Sequence, residues 1–202
     1  MARYDPAHKH ETRQAILKAA ARVIRAGGPE RVSVAEVMRA AGLTHGGFYA
    51  HFSSKQALVA AAITYMFDGA RRASTLWTEG RGGPAALDAY VDRYLSPEHR
   101  DDPGRGCPLT TLAADVARFG GEVQAAFDAG VSRMIAGLAE LLLVDDANAR
   151  ETLAASLVAE MAGAVALSRA VTDPALSDRL LAASRAAVKA RAAQALFLEP
   201  AP

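Results

Sequence analysis

The chain has 202 residues, of which 51% are hydrophobic and 22% are charged, and its formal net charge is +1. This size and composition exclude a disordered chain and allow one large or two small folded domains. No apolar run approaches the ~20 residues that a membrane helix needs. The polar N-terminus, MARYDPAHKHETR, has no apolar segment typical of a secretion signal. The single cysteine cannot form an intrachain disulfide. We therefore expect a cytoplasmic protein without a membrane partner.

The charges are distributed unevenly along the chain. Residues 1–65 contain nine Lys or Arg and four Asp or Glu, a balance of +5, whereas residues 66–202 carry a balance of −4. A basic segment points to a polyanion such as nucleic acid as its partner. Charge alone also fits an ordinary solvated surface, so the interpretation depends on the motifs that this segment contains.

Abundant alanine and little alternation of β-branched residues predict an all-α protein. The first predicted helix has an apolar stripe that includes Ile16, Ala20 and Ile24, and the run Gly27-Gly28-Pro29 ends it. Further helix-breaking and helix-capping residues divide the rest of the chain into separate helices, and residues 96–106 are expected to form a polar loop. About nine helices are predicted, near residues 10–26, 34–41, 45–51, 54–78, 85–95, 107–118, 122–143, 145–171 and 178–198.

The most specific pattern lies in residues 33–58, SVAEVMRAAGLTHGGFYAHFSSKQAL. Ser33 and Glu36 have the spacing of a capping box, and Gly42 can adopt the positive φ that often ends a helix. Thr44 is expected to cap the next helix, which is very short.

A second capping box is expected from Ser53 and Gln56, at the start of the helix that contains Lys55. A short helix rich in hydrogen-bonding and aromatic side chains, joined through a glycine turn to an amphipathic helix, is typical of a helix-turn-helix DNA-binding motif.

This segment resembles the DNA-binding domain of the TetR family of bacterial transcriptional regulators (TetR/AcrR type). Three stretches carry the resemblance: Gly42-Leu43-Thr44, residues 47–52 (GFYAHF) and residues 54–58 (SKQAL). The resemblance covers roughly the first 65 residues by motif and the rest only by layout. It implies a helix-turn-helix DNA-binding domain in residues 1–54 and a helical effector-binding and dimerisation domain in residues 55–202. It also implies a repressor that binds double-stranded operator DNA.

The residue types suggest separate roles at that DNA. Lys55, Tyr49 and His51 can donate to phosphate oxygens, which fix the position of a protein without specifying sequence. Base contacts are expected from His45, where the short helix begins, because glycines beside it let a helix lie deep in the major groove. The candidate DNA-binding residues are Ser33, Thr44, His45, Gly46, Gly47, Tyr49, His51 and Lys55. Ser33 could instead serve only as a cap, and His45 could simply face solvent.

The resemblance further implies a homodimer formed through the last two helices, which are rich in small residues that permit close packing. The alternative is that these helices pack only within one chain. An unknown small hydrophobic effector would tilt the fourth predicted helix and so change the spacing of the two DNA-binding domains. The candidate pocket residues, which could equally be ordinary core, are Phe67, Trp77, Tyr90, Tyr94, Cys107, Leu112, Phe119, Phe127, Met134 and Met161.

Cys107 directly precedes Pro108, which is expected to open a helix. A helix N-terminus can stabilise a thiolate, and Arg100 and Arg105 are close in sequence. Some TetR relatives sense electrophiles or oxidants through a cysteine in this domain, so thiol sensing is an alternative function. Cys107 could also be a small buried hydrophobic residue, or the nucleophile of an enzyme with His99 as base. A non-specific architectural DNA-binding protein is a further alternative. No metal-ligand spacing is present, and no cofactor is expected.

Overall fold

In the computed structural model, which describes residues 6–195, all regular secondary structure of the described chain is helical, as predicted, and the described residues form no strand. The nine α-helices, α1 to α9 in chain order, are Pro6–Gly27, Val34–Ala40, Lys55–Thr78, Gly83–Tyr94, Pro97–Asp101, Pro108–Val116, Gly121–Ala139, Ala147–Ala170 and Pro174–Gln194. A short 3-10 helix, His45–Ala50, lies between α2 and α3.

The predicted polar loop at residues 96–106 is wrong in its first half, where α5 forms. The Ser96 hydroxyl caps this helix by accepting a hydrogen bond from the His99 backbone N–H at 3.2 Å. Pro97 then occupies the first turn, where its missing N–H costs no hydrogen bond. The start signal is thus present in the sequence but is short and surrounded by charged residues. The described chain therefore has ten helices, one more than predicted.

Two other predicted helix ends are also wrong. Asp173, rather than Ser177, caps α9 by accepting from the Ala175 N–H at 2.9 Å. Ser177 is buried inside the helix and its hydroxyl donates to the Ser168 carbonyl at 2.7 Å. The predicted end of this helix near Leu198 lies outside the described residues.

Helix α7 ends at Ala139 rather than near residue 143. The backbone N–H groups of Leu141 and Leu142 donate to carbonyls three residues earlier, so the chain tightens after Ala139 into turns that do not continue the α-helix.

The described chain forms two compact units. The first contains the residues up to Gly69 together with Thr111–Gly130, and the second contains Ala70–Thr110 together with the residues from Val131 on. Helices α3, α6 and α7 each contribute residues to both units. The predicted functional boundary after residue 54 remains a prediction.

The first unit has a core built from the apolar faces of α1, α2 and α3. Its fully buried side chains include Ile16, Ile24, Met38, Leu58 and Ile63. The stripe predicted for α1 thus faces the interior.

The second unit has a separate core around α4, α7, α8 and α9. Helix α8, Ala147–Ala170, is long and apolar enough by composition to cross a membrane, the one such helix among the described residues. Its inner face, which includes Leu157, Met161 and Val165, is buried within this core. Burial of that face is the arrangement expected for the core helix of a folded domain.

Candidate functional site

The turn between α2 and the 3-10 helix is fixed by backbone hydrogen bonds. The Ser33 hydroxyl caps α2 by accepting from the Glu36 N–H at 3.4 Å. Gly42 has φ of +74°, which lets the Leu43 N–H reach the Met38 carbonyl at 2.9 Å. The capping residue and the glycine turn therefore have the roles that their spacing predicted.

Thr44 does not cap the 3-10 helix with its side chain, so this part of the prediction is wrong. Its backbone carbonyl accepts from the Gly47 N–H at 3.2 Å, because a 3-10 helix closes its hydrogen bonds over three residues. The side chains of Thr44 and the neighbouring His45 are exposed, and Gly46 is exposed as well.

The 3-10 helix lies on an aromatic base. Phe48 and Phe52 are buried, and their rings stack with centroids 5.9 Å apart. The ring of Tyr49 meets Phe48 edge-on at 5.1 Å, while the residue remains 73% exposed. Buried rings thus fix the backbone from which Thr44, His45 and Tyr49 project into solvent.

Ser54, rather than the predicted Ser53, caps α3. The Ser54 hydroxyl accepts from the Ala57 N–H at 2.9 Å, three residues on, whereas Ser53 is exposed. Two adjacent serines carry the same signal in sequence, and only the backbone path selects one of them. Lys55 follows, and its Nζ donates to the Glu30 carbonyl at 2.9 Å, which ties the start of α3 to the loop between α1 and α2.

That loop also contacts the end of α6. The Arg118 guanidinium lies 3.9 Å from the Glu30 carboxylate and donates to Asp115. Gly28 has φ of +80°, and a Cβ atom there would lie 3.0 Å from an Asp115 carboxylate oxygen. Glu30 therefore makes two contacts. Its backbone carbonyl accepts from Lys55, and its carboxylate lies near Arg118 in the segment Thr111–Gly130.

Helix α1 brings two cations, Lys9 and Arg13, to the end of the 3-10 helix. The Arg13 guanidinium lies over the Phe52 ring, 4.3 Å from its centroid. Burial is the largest cause that lowers the pKa of half-buried His51, and the charges of Lys9 and Arg13 lower it further. Their spacing of four residues puts Lys9 and Arg13 on one face of α1, a signal that the sequence contained.

The second unit holds a buried cluster of aromatic and sulfur-containing side chains. Tyr90 and Tyr94 stack with centroids 5.9 Å apart, and Trp77 packs on Tyr90 at 5.9 Å. The Cys107 thiol is 5% exposed and lies 3.6 Å from the Met134 sulfur. Burial is the largest cause that raises the pKa of both tyrosines, and the neighbouring Cys107 raises it further.

His99 connects this cluster to the chain before α6. Its Nδ1 lies 2.7 Å from the Tyr94 carbonyl, and its Nε2 lies 3.1 Å from the backbone nitrogen of Cys107. Nδ1 therefore carries the proton and donates, while Nε2 accepts from the Cys107 N–H. Burial is the main cause that lowers the pKa of His99. Because Nε2 accepts from the backbone rather than from the thiol, His99 is not placed as a base for Cys107.

The arginine beside Cys107 is Arg169, not Arg100 or Arg105 as the sequence suggested. Arg100 is paired with Asp101 and Asp178, and Arg105 with Asp102. The Arg169 guanidinium donates to the carbonyls of His99 and Arg100, at 2.6 and 2.8 Å, and to the Thr110 hydroxyl at 2.7 Å. Sequence distance could not identify Arg169, which lies 62 positions after Cys107.

The candidate pocket residues divide between the two units. Trp77, Tyr90, Tyr94, Cys107, Met134 and Met161 belong to the core cluster of the second unit. Phe67, Leu112, Phe119 and Phe127 belong to the first unit, where Phe67 and Phe127 meet edge-on at 5.5 Å. Over residues 6–195 there is no group of three His, Cys, Asp or Glu residues that could hold a metal ion.

Comparisons with known proteins match both the motif and the fold. Residues 16–62 match the family model of bacterial regulatory proteins, tetR family. A sequence comparison with curated proteins finds no match.

Several solved structures share the fold over nearly the whole chain. The reduced form of NemR from E. coli is 23% identical, with 90% of this chain and 96% of that chain covered and a TM-score of 0.75. A TetR transcriptional regulator from Chloroflexus aurantiacus J-10-FL is 22% identical, with 93% and 97% covered and a TM-score of 0.74. A TetR-family regulator from Cytophaga hutchinsonii is 21% identical, with 90% and 95% covered and a TM-score of 0.75. Residues 16–62 thus match the model of the tetR family of bacterial regulatory proteins, and the chain as a whole shares its fold with solved TetR-type transcriptional regulators.

Proposed function

We propose that this protein is a dimeric, ligand-responsive repressor that binds operator DNA through the 3-10 helix and the start of α3. The observation that carries the proposal is the exposed row Thr44, His45 and Tyr49 on a rigid base of buried phenylalanines. A rigid base matters because base contacts require side chains held in a fixed position against the groove.

The proposed roles follow from chemistry and exposure. His45, beside Gly46 and Gly47, contacts base edges in the major groove. Tyr49 and Lys55 donate to backbone phosphates, together with Ser33, Thr44 and His51. Lys55 keeps two of its three N–H donors for phosphate when one donates to the Glu30 carbonyl.

The test is fluorescence anisotropy of the purified protein on DNA from upstream of its own gene, with scrambled duplex as competitor. Competitor-resistant binding is expected, and binding equal to that of scrambled DNA would instead indicate a non-specific architectural protein.

Lys55→Ala should lower affinity for all sequences and reduce the salt slope by about one unit, whereas removal of the exposed Lys18 should not. His45→Ala should change sequence preference more than overall affinity, and a uniform loss would argue against base contact.

Dimerisation is proposed to use the outer faces of α8 and α9. Leu167 on α8 is 56% exposed although it is a large apolar side chain. An apolar residue of this kind is often covered by a partner. Leu167→Glu should give monomers in analytical ultracentrifugation, whereas the same change at Leu76 of α3, which is 68% exposed, should leave the dimer intact. Dimers in both variants would contradict this interface.

The effector is proposed to be a hydrophobic or planar molecule that binds at the aromatic and sulfur-containing cluster of the second unit. Trp77 is the single tryptophan of the chain and packs on Tyr90, so its fluorescence reports directly on this cluster. A panel of planar aromatic compounds can be screened by quenching of Trp77 and then by release of DNA. The contacts of Glu30 with Lys55 and Arg118 offer a path from the segment Thr111–Gly130 to the DNA-binding residues.

A second candidate function is thiol sensing at Cys107, and a specific observation favours it. The Arg169 guanidinium donates to the His99 carbonyl and to the Thr110 hydroxyl, on either side of Cys107 in the chain, and a nearby cation stabilises a thiolate. One of the structural neighbours is described as a reduced form. Hydrogen peroxide should then release DNA from the wild-type protein but not from Cys107→Ser. Equal release from both proteins would exclude Cys107 as the sensor.

A further inference from the structure

A cluster of three basic side chains lies where α1 meets the end of the 3-10 helix. Lys9 and Arg13 are one helical turn apart on α1, and Arg13 covers the ring of Phe52 at 4.3 Å. His51 directly precedes Phe52 and is half-buried. Like charges at this spacing repel each other on an isolated helix.

Two nitrogen atoms of this cluster are left without a hydrogen-bond partner in the described part of the chain. The Nη1 atom of Arg13 and the Nδ1 atom of His51 are both buried, and neither has a hydrogen-bond partner among the described residues. Within residues 6–195, neither Lys9 nor Arg13 forms an ion pair with a carboxylate. An unsatisfied buried donor is costly, and a bound anion is one group that can complete its hydrogen bonds.

The electrostatics favour an anion as that ligand. Burial, then Lys9, then Arg13 lower the pKa of His51, and both cations come from α1. On α3, the nearest cation in sequence is Lys55, whose ammonium donates to the Glu30 carbonyl. An anion bound among the three side chains would offset the repulsion between them and favour the protonated imidazole.

We propose that Lys9 and Arg13 complete, together with His51, one site for a backbone phosphate of duplex DNA that is separate from the phosphate bound by Lys55, and that its occupation is accompanied by protonation of His51. This inference rests on the proposed function. A phosphodiester carries its charge at all physiological pH values and offers several acceptor oxygens, which matches two unused nitrogen donors. His51 ends the same short helix from which Tyr49 projects, so a duplex that Tyr49 contacts passes close to this cluster.

The consequence is proton-linked DNA binding. A phosphate that raises the pKa of His51 makes the complex bind more protons than the separate molecules. Affinity should therefore rise as pH falls through the pKa of His51 in the complex, and level off below the pKa in the free protein. Because one proton is taken up from solvent, the increase is at most about tenfold per pH unit.

The experiment uses the full chain and a random-sequence duplex, because phosphate contacts do not depend on sequence. The pH series is measured at low salt, and the salt slope is measured over a range of salt concentrations. Anisotropy is measured from about pH 8 to 5.5 for the wild type, His51→Gln and Lys9→Gln. Lys18→Gln is the matched control, because Lys18 is an exposed lysine nine residues along α1 and therefore on its opposite face. In parallel, NMR follows the pKa of His51 with and without DNA, and His51→Gln assigns the signal.

We expect Lys9→Gln to reduce the salt slope by about one unit and Lys18→Gln to leave it unchanged. His51→Gln should flatten the pH dependence, and DNA should raise the pKa of His51. Binding by the wild type with an unchanged His51 pKa, or equal slopes for Lys9→Gln and Lys18→Gln, would overturn this inference alone. Absence of wild-type binding to any duplex would overturn the proposed function and this inference with it.

Discussion

Gly130 gives a direct test of how the first unit is packed. A Cβ atom at this position would lie only 2.5 Å from the Cγ atom of Phe67, at the root of its ring. Phe67 is 2% exposed and Phe127 meets it edge-on at 5.5 Å, so the whole ring would have to move within a filled space. Gly130→Ala should therefore destabilise the protein although alanine is the better helix former.

The size of this effect follows from two opposing contributions. Replacing glycine by alanine inside a helix stabilises it by about 0.5–1 kcal/mol. Overpacking of a filled core costs about 1–3 kcal/mol. The net loss should be up to about 2.5 kcal/mol, which corresponds to a decrease in Tm of up to roughly 10 °C for a chain of this size.

The measurement is urea unfolding followed by circular dichroism, with Gly137→Ala as the control. Gly137 lies on the same helix α7, but a Cβ atom there would have no neighbour within 4 Å. We expect Gly137→Ala to be equal to or slightly more stable than the wild type. If Gly130→Ala proves as stable as Gly137→Ala, the close packing of Phe67 against α7 is refuted.

Three further predictions use the same unfolding measurement. Ser54→Ala should cost about 1 kcal/mol because it removes the cap of α3, whereas Ser53→Ala should be nearly neutral, and equal effects would contradict the assignment of the cap. Arg169→Met should cost about 3 kcal/mol or more through three lost hydrogen bonds, whereas Arg179→Met at an exposed site of α9 should stay within about 0.5 kcal/mol. Burial lowers the pKa of His99, so the unfolded chain binds more protons than the folded chain once the pH falls toward the ordinary value of 6.5. Stability should therefore decrease from about pH 7.5 to 5, and His99→Gln should lessen that decrease; an unchanged slope would exclude His99 as its source.

The amino-acid sequence was sufficient to predict the all-α class and the location of the helix-turn-helix, because those signals are local. The apolar stripe of α1, the Ser33 cap and the positive φ of Gly42 each depend on residues within one or two turns of each other. Local signals became ambiguous where two candidates lay side by side. Ser53 and Ser54 are an example, since only the path of the backbone decides which hydroxyl reaches the Ala57 N–H.

Contacts between distant parts of the chain were decided by the tertiary structure alone. Arg169 lies beside Cys107 because α8 packs against the segment before α6, while the arginines close in sequence are paired with carboxylates. Lys9 and Arg13 meet His51 for the same kind of reason, since the packing of α1 brings residues about 40 positions apart together.

The predicted pocket residues illustrate the same division. The pocket itself remains a prediction, and helical periodicity could not assign Phe67 and Tyr90 to different compact units. Helical periodicity determines which face of each helix is buried, whereas the partner of that face depends on how all the helices pack at once. The sequence by itself therefore determined the helices and their buried faces, and the tertiary structure decided which side chains form each site.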